Sequence, residues 1–325
     1  MVNFEKIISV DNLLLAWKEF ICGKRNRKDM QEFQLHLMDN VLSLHSDLKN
    51  KIYTHGGYYA FNISDPKPRN IHKATVRDRL LHHAIYRILY PIFDKKFIYD
   101  SYSCRTEKGT HKAINRFRDF HRKVSKNNTK TCWVLKCDIR KFFANIDHNI
   151  LKRILSKATF DTDILWLLSQ VIDSFSARQG LAGVGLPLGN LTSQLLVNIY
   201  MNEFDQFVKR ELKVKYYIRY ADDFVILSQD KGYLKNILEK MKEFLENKLK
   251  LNMHPDKVFI KTIVSGVDFL GWVHFPKHRV LRTSTKRRML KALRDNFKKE
   301  SKQSYLGMLL HGNAYKLEEK IKALG

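Results

Sequence analysis

The stretch YIRYADDFVIL, Tyr217 to Leu227, places two adjacent aspartates, Asp222 and Asp223, inside an otherwise apolar run. Desolvation and mutual repulsion both disfavour two neighbouring carboxylates in a strand-like segment. The flanking residues predict two strands joined by a tight turn, with the acidic pair at the turn. One interpretation is an ordinary Asp-rich hairpin turn. The other is a site whose bound cations offset the repulsion.

A second acidic strand end lies upstream, where Asp138 follows the apolar run CWVLKC. An acid at the end of one buried strand and a pair at a hairpin turn can converge on one point. Such carboxylates are typical of sites for hard divalent cations, and Mg²⁺ combines one or two carboxylates with phosphate and water oxygens. Two such ions can hold both the attacking and the leaving oxygen during phosphoryl transfer. The three aspartates therefore indicate metal-dependent phosphoryl transfer.

Positive charge dominates the composition of the 325-residue chain: 59 Lys and Arg stand against 33 Asp and Glu, a formal net charge of +26. This surplus repels itself unless a polyanion is the usual partner, so nucleic acid is the favoured partner class. An anionic membrane surface is disfavoured because the chain has no dominant basic amphipathic helix and no lipidation motif. A merely basic globular protein is the remaining alternative.

The other bulk features indicate a folded protein of a reducing compartment. The hydrophobic fraction is 44%, and no apolar run approaches the roughly 20 residues of a membrane span. None of the four cysteines forms a C-x-x-C pair, which disfavours a zinc site. The N-terminus does not resemble a signal peptide. We therefore expect a cytoplasmic protein without a membrane partner.

Periodicity predicts strands interleaved with helices, an α+β fold. Residues 11–50 are predicted as helices, and a strand, loop and strand are predicted before a helix that begins after Thr75 as N-cap. Later strands are predicted at TCWVLKCDIRKFF, at the YADD hairpin, and at GVDFLGWVHF and RVLRTS, and the tail from residue 284 is predicted to be helical.

The motifs together resemble the reverse transcriptases. YADDF resembles their Y-x-D-D motif, and the other matching blocks occur in the expected order over roughly residues 55–275. They are DPKPRNIHKATVRDRLLHHAI (65–85) for the fingers, CDIRKFFANIDH (137–148) and GLPLGNLTSQLLVNIYMNEFD (185–205) for two palm motifs, and LNMHPDKV (251–258) and GVDFLGW (266–272) for the next two. An ordered set of this kind is highly specific.

The resemblance implies a right-hand polymerase fold with fingers, palm and thumb. Residues 1–130 would form N-terminal helices and fingers. Residues 131–278 would form the palm, an antiparallel sheet with a ferredoxin-like core and a fingers insertion at about 150–190. Residues 279–325 would form a short helical thumb, and the chain would then leave no room for a maturase or endonuclease domain.

The resemblance also assigns the metal site. Asp138 and Asp222 would bind two Mg²⁺ ions, with Mn²⁺ as a substitute, while Asp223 would assist or orient. The main-chain carbonyl of Ile139 would complete one coordination shell. The 3′-hydroxyl of the growing strand would attack the α-phosphate of a dNTP, copying template RNA into an RNA/cDNA duplex.

Further residues would bind the nucleotide. Lys67 and Arg69 would hold the triphosphate, since cationic forks suit phosphate oxygens, and Arg79 is a weaker candidate because it could equally form ion pairs on a helix. Phe143 would exclude a 2′-hydroxyl from the sugar site, although both Phe142 and Phe143 could belong to the core. Lys257 would protonate the pyrophosphate, or be a solvated lysine. Leu188, Gly189 and Gln194 complete the set.

The last candidates would contact the template–primer duplex. Gly271 and Trp272 match the primer-grip block, although Trp272 could equally be buried packing. Basic residues of the tail would bind the phosphate backbone without regard to sequence. The alternative is that they form a solvated helix face. They are Lys286, Arg287, Arg288, Lys291 and Arg294.

One departure indicates a subtype. Most reverse transcriptases carry Gln-Gly and then Ser-Pro in the second palm motif, where this chain has Leu188-Gly189 and Ser193-Gln194. This pattern, and SYLGMLLHGNAYKL in the tail, resemble the enzymes of diversity-generating retroelements. That resemblance implies mutagenic copying of template adenines, a small basic oligomeric accessory protein, and a bacterial, archaeal or phage origin.

Two alternatives to this subtype remain. Retron, antiphage and group II intron-derived enzymes of ordinary fidelity form the near alternative. A non-catalytic nucleic-acid-binding module that keeps only the fold is the alternative from another class. The intact Asp138, Asp222 and Asp223 argue against that module.

Overall fold

The structure is a computed structural model, and it describes residues 3–64, 68–158, 161–177, 183–295 and 297–323. Within these ranges the chain forms helices and antiparallel strands, as the sequence predicts. None of the helices there combines the length and hydropathy that crossing a membrane requires.

The helices of the described ranges are α1 (Phe4–Ile8), α2 (Val10–Phe20), α3 (Lys28–Leu35), α4 (Leu37–Lys49), α5 (Val76–Asp94), α6 (Thr110–Val124), α7 (His148–Ser156), α8 (Thr162–Asp173), α9 (Leu191–Gln206), α10 (Lys231–Leu249), α11 (Thr283–Asp295), α12 (Lys299–Leu309) and α13 (Tyr315–Lys322). The strands are β1 (Tyr58–Ile63), β2 (Arg69–Ala74), β3 (Trp133–Asp138), β4 (Tyr217–Tyr220), β5 (Asp223–Ser228), β6 (Phe259–Thr262), β7 (Val267–Phe269), β8 (Trp272–His274) and β9 (Arg279–Leu281).

The chain divides into two compact units. The first comprises Met1–Tyr99, Ile139–Glu211 and Glu243–Asn252, and the second comprises Asp100–Asp138, Leu212–Lys242 and Met253–Gly325. The division into fingers, palm and thumb segments that the resemblance implies stays a prediction.

In the first unit, the N-terminal helices pack around α5. Helix α2 presents Leu13, Trp17 and Phe20 to the core, where each is almost completely buried. The Thr75 hydroxyl accepts a hydrogen bond from the amide of Asp78, so Thr75 caps α5 as predicted. An N-cap of this kind satisfies a helix amide that has no partner within the helix. Strands β1 and β2 form an antiparallel hairpin immediately before α5.

In the second unit, four antiparallel strands form a sheet in the order β4-β5-β3-β6. Helix α6 is strongly amphipathic and covers one face, where Phe117, Phe120 and Val124 join a hydrophobic cluster with Val134 and Val225. Because side chains alternate along a strand, this face also receives every second residue of β3 and β5.

A second, three-stranded sheet in the order β7-β8-β9 belongs to the same unit. It carries Trp272 into a cluster with Met289 and Leu293 of α11 and with Leu317 and Ile321 of α13. The amphipathic tail helices therefore obtain their core from this small sheet.

The helical tail confirms the prediction from the sequence, and the predicted strands are confirmed with two changes. GVDFLGWVHF forms two strands, β7 and β8, because Gly271 with φ +85° turns the chain between them. β3 ends at Asp138, and Phe142–Asn145 is a short 3-10 helix and not part of a strand.

Candidate active site

The YADD motif forms the predicted tight hairpin. Tyr220 pairs with Asp223 across β4 and β5, so Ala221 and Asp222 are the two residues of the turn. Ala221 has φ +54°, a left-handed conformation that the first position of such a turn demands and that normally favours glycine. The turn leaves Asp222 half-buried, next to the strand end that carries Asp223.

Asp138 and Asp223 meet at the same end of the sheet. The register of the antiparallel pair β3 and β5 places them directly opposite each other. Opposed residues in such a pair lie on the same face, with Cβ atoms about 4.5–5.5 Å apart. The main chain at Asp138 is held by a 2.7 Å hydrogen bond that the amide of His254 donates to its carbonyl. The structure thus brings together Asp138, Asp222 and Asp223.

The electrostatics of the cluster are most visible at Asp223. The pKa of its carboxyl is raised to about 7, mainly by burial. The ammonium of Lys136 acts in the opposite direction, and the charges of Asp138 and Asp222 act in the same direction as burial. The Oδ2 atom of Asp223 lies 3.4 Å from Lys136 Nζ. Its Oδ1 atom is buried without a hydrogen-bond partner within the described part of the chain.

Lys257 adds a second cation to the carboxylate cluster, next to Asp138. Its Nζ lies 3.0 Å from Asp138 Oδ1, and its side chain is 41% exposed. It precedes β6, the strand that pairs with β3. The candidate general acid is therefore adjacent to a candidate metal ligand, and both could contact the same phosphate group.

The donor set fits a hard divalent cation in its chemistry. Three carboxylates supply oxygen ligands, and the buried, unpartnered Oδ1 of Asp223 is a site that a cation would satisfy. The side chains are not a preformed cage: in the described ranges no three His, Cys, Asp or Glu side chains are grouped closely enough to hold a metal ion. The ammonium groups of Lys136 and Lys257 lie within 4 Å of Asp223 and Asp138 respectively.

A fully buried arginine supports the YADD turn. Arg219 donates from Nη1 to the carbonyl of Ala221 at 3.1 Å and from Nη2 to the hydroxyl of Ser101 at 3.1 Å. Its main chain also pairs with the segment Asp100–Tyr102 through bonds of 3.0 and 2.9 Å. The strained turn residue is thus tied to a neighbouring segment by one guanidinium group.

In the first unit, one loop gathers several nucleotide-binding candidates. The amide of Leu186 donates to the carbonyl of Phe143 at 2.8 Å, and the carbonyl of Leu188 accepts from the amide of His72 in β2 at 3.0 Å. Gly189 has φ +106°, and a Cβ there would stand 2.8 Å from Ile71 Cγ2. The loop is therefore fixed between β2 and the segment that carries Phe143.

The side chains around this loop differ in exposure. Phe142 is buried, whereas Phe143 is half-buried, which keeps Phe143 open to a ligand. Arg69 is exposed at the start of β2, and Gln194 is half-buried in the first turn of α9. Lys67, the other triphosphate candidate, lies outside the described residues.

The duplex-binding candidates all belong to the second unit. Gly271 has φ +85° in the tight turn between β7 and β8. Trp272 is only 2% exposed and lies in the hydrophobic cluster of the tail helices, and a role at the primer stays a prediction. On α11, Lys286 and Arg287 are exposed and Arg288 is half-buried.

Two residues at this site, Lys136 and Arg219, were not predicted from the sequence. Each is a long cation inside an apolar strand, two positions before Asp138 and three positions before Asp222 respectively. A charged residue in a buried strand normally requires a partner. That signal was available in CWVLKCD and YIRYADD.

Comparison with known proteins identifies the family. Residues 63–274 match the family described as "Reverse transcriptase (RNA-dependent DNA polymerase)". The chain is 29% identical to Protein YkfC of Escherichia coli K12 over 254 residues, which is 67% of this chain and 65% of YkfC. It is 25% identical to the group II intron-encoded protein LtrA of Lactococcus lactis over 283 residues, covering 66% of this chain and 45% of LtrA.

Among solved structures, apo telomerase of Candida tropicalis aligns with a TM-score of 0.49 and 13% identity, covering 76% of this chain and 60% of that one. The chain spans less than two thirds of the length of the curated relatives above. Because the family match nevertheless extends over well more than half of its residues, the chain belongs to the reverse transcriptase family.

Proposed function

We propose that this protein is an RNA-directed DNA polymerase. The observation that carries the proposal is the placement of Asp138 directly opposite Asp223, with Asp222 in the adjoining turn. The net charge of +26 fits a protein whose substrates are nucleic acids. Template RNA, the RNA/cDNA duplex and dNTPs are the proposed ligands.

Asp138 and Asp222 would hold two Mg²⁺ ions, or Mn²⁺, with help from Asp223 and the carbonyl of Ile139. When bound, these ions would activate the 3′-hydroxyl and neutralise charge on the phosphates. The protein itself supplies orientation: the Asp138–Asp223 register and the Arg219 contact with Ala221 fix the carboxylates on a rigid sheet.

The remaining roles belong to side chains that contact the nucleotide. Arg69, together with Lys67, would hold the triphosphate oxygens. Phe143 would exclude a ribose hydroxyl. Lys257 would deliver a proton to the pyrophosphate from its position beside Asp138. The fingers, palm and thumb boundaries given above are part of the same proposal.

Primer extension on an RNA template with Mg²⁺ tests the activity. Wild-type protein should extend the primer, and Asp222→Ala should reduce extension at least a thousandfold. Asp39→Ala, an exposed acid on α4, is the matched control and should retain activity. Equal extension by wild type and Asp222→Ala would rule out the mechanism.

We further propose that the enzyme copies template adenines with errors, as in diversity-generating retroelements. Leu188 supports this subtype because its side chain cannot donate or accept a hydrogen bond where most of the family has Gln. Its main chain is anchored to β2, so a change of side chain should leave the loop in place. A small basic accessory protein would act with the enzyme.

The cDNA sequence tests the subtype. Leu188→Gln should lower errors opposite template adenine while errors at other bases change little. An unchanged adenine error spectrum would contradict the proposal. It would favour the second candidate, a retron, antiphage or group II intron-derived enzyme; the similarity to LtrA, a group II intron-encoded protein, supports that candidate.

A further inference from the structure

The buried ammonium of Lys136 has no assigned role in the chemistry described above. Lys136 lies in the middle of β3 and is 7% exposed. Its cross-strand neighbours are Val225 of β5 and Phe259 of β6, both apolar. Lysine is almost never fully buried unless it is paired, so its position requires an explanation.

The pleat of the sheet explains which partner it reaches. Lys136 and Asp138 are two residues apart on β3 and therefore point to the same face. Asp223 stands opposite Asp138 on that face, so Lys136 is its diagonal neighbour. From this position Lys136 Nζ approaches Asp223 Oδ2 to 3.4 Å.

The ammonium of Lys136 contacts only one of the two carboxylate oxygens of Asp223. Lys136 engages Oδ2, while Oδ1 of Asp223 is buried and has no hydrogen-bond partner in the described residues. An unpaired buried oxygen is costly. Lys136 thus contacts one oxygen of Asp223, which leaves the other for a ligand at the carboxylate cluster.

Burial distinguishes this lysine from the other one in the cluster. Lys257 beside Asp138 is 41% exposed and can move into solvent or onto a substrate. The side chain of Lys136 is 8% exposed, and it lies on the face of β3 that carries Val134, the face covered by α6. Lys136 is therefore suited to a fixed contact and Lys257 to a changing one.

We propose that Lys136 is a positioning residue: by holding Asp223 Oδ2, it orients the Asp223 carboxylate toward the cation that Asp138 and Asp222 bind. This inference rests on the proposed function for its catalytic meaning. Lys136 touches no substrate and acts through Asp223. It is also distinct from a simple countercharge, which would repel a cation in the same site.

Binding of Mn²⁺ to the protein without nucleotide separates these two roles. Removing a mere countercharge would tighten Mn²⁺ binding, whereas removing a positioning residue should weaken it. We expect Lys136→Met to raise the Mn²⁺ dissociation constant, followed by the electron paramagnetic resonance of free Mn²⁺, at least threefold. Lys136→Arg should stay near wild type. Unchanged or tighter binding by Lys136→Met would overturn the proposal.

Coupling to Asp223 supplies the second measurement. In primer extension, Lys136→Met should lower kcat at least tenfold and leave the KM for dNTP within about threefold. In an Asp223→Asn background, Lys136→Met should change kcat less than twofold. An equal loss of kcat in both backgrounds would also overturn the positioning role of Lys136. Lys261→Met, an exposed lysine on β6, is the matched control.

The urea midpoint of each variant shows whether it folds. Lys136→Met is expected to unfold at lower urea, because it leaves Asp223 buried without its cation, and Lys136→Met/Asp223→Asn should recover most of that loss. If wild type binds Mn²⁺ as expected but extends no primer, the proposed function fails while the positioning of Asp223 by Lys136 stands.

Discussion

Asp138 and Asp223 face each other across β3 and β5, and each is paired with a different lysine. The two lysines differ in burial: Lys257 is exposed enough to exchange partners, whereas Lys136 is buried. The pairing of Lys257 with Asp138 leaves two roles open for Lys257, an ion-pair partner and a proton donor to pyrophosphate.

Lys257→Arg distinguishes the two roles of Lys257. Arginine can keep the ion pair with Asp138 but does not deprotonate in proteins, so it is a poor general acid. If proton donation is the role, Lys257→Arg and Lys257→Met should both slow single-nucleotide incorporation about 100-fold. Rapid-quench kinetics would measure this, and wild-type rates in Lys257→Arg would show that the ion pair alone matters.

Arg219→Met should destabilise the protein and slow catalysis together. The substitution leaves the Ala221 carbonyl and the Ser101 hydroxyl without the donor described above. Losing a hydrogen bond from a charged donor costs about 1.5–3 kcal/mol. Urea unfolding should show this loss, and extension should be slower at urea concentrations where the variant remains folded. Exposed Arg210→Met is the control; equal stability of both variants would contradict the role of Arg219.

Two glycines in the tail should respond oppositely to alanine. A Cβ at Gly312 would stand 2.0 Å from Cζ3 of Trp272, so Gly312→Ala must displace the buried indole. Overpacking of this kind costs about 1–3 kcal/mol. At Gly307, within α12, a Cβ would meet nothing within 4 Å. Gly307→Ala should therefore stabilise by about 0.5–1 kcal/mol.

Thermal unfolding of the two alanine variants would check this pair. The melting temperature should fall for Gly312→Ala and rise for Gly307→Ala. Two shifts of the same sign would show that the indole does not restrict position 312.

The free energy of unfolding should decrease as pH falls, because His274 is held neutral in the folded protein. The pKa of His274 is lowered to about 3, mainly by burial and in smaller part by the charge of the nearby Arg279. The unfolded chain takes up this proton near its ordinary pKa of about 6.5 while the folded chain does not, so the free energy of unfolding decreases as pH falls below 6.5. Between pH 7 and 5 the loss from this group is about 2 kcal/mol.

His274→Phe removes that titration and keeps an aromatic ring beside Phe117, whose centroid lies 4.5 Å from the imidazole. Urea midpoints at pH 7, 6 and 5 should decline less steeply in His274→Phe than in wild type. Exposed His36→Gln should follow the wild-type slope. Parallel slopes for His274→Phe and wild type would exclude His274 as a source of acid sensitivity.

Much of the architecture was predictable because it follows from local patterns. The YADD hairpin, the strands around Trp272, the cap at Thr75 and the helical tail are confirmed, since alternation, turn residues and helix caps act within a few residues. The family match confirms the predicted right-hand polymerase fold class. The roles of Arg69, Phe143 and Leu188 stay predictions.

Other features depend on residues far apart in the chain. Whether Trp272 contacts a primer or a core could not be read from GVDFLGW, because its neighbours come from helices beyond residue 283 and from Gly312. The positions of Lys136 and Arg219 were visible, but their partners were not. A strand pattern shows which face a side chain occupies, while the register of the partner strand decides what it meets.

The sequence alone identified the family and the three aspartates proposed as metal ligands, because motif order and residue type can be read directly from the chain. Only the tertiary structure decided how those carboxylates are held. Pairing of β3 with β5 put Asp138 opposite Asp223 and brought Lys136 within 3.4 Å of the Asp223 carboxylate. The segment Asp100–Tyr102 brought Ser101 to Arg219. These contacts join residues 85 to 118 positions apart, and only the folded chain brings them together.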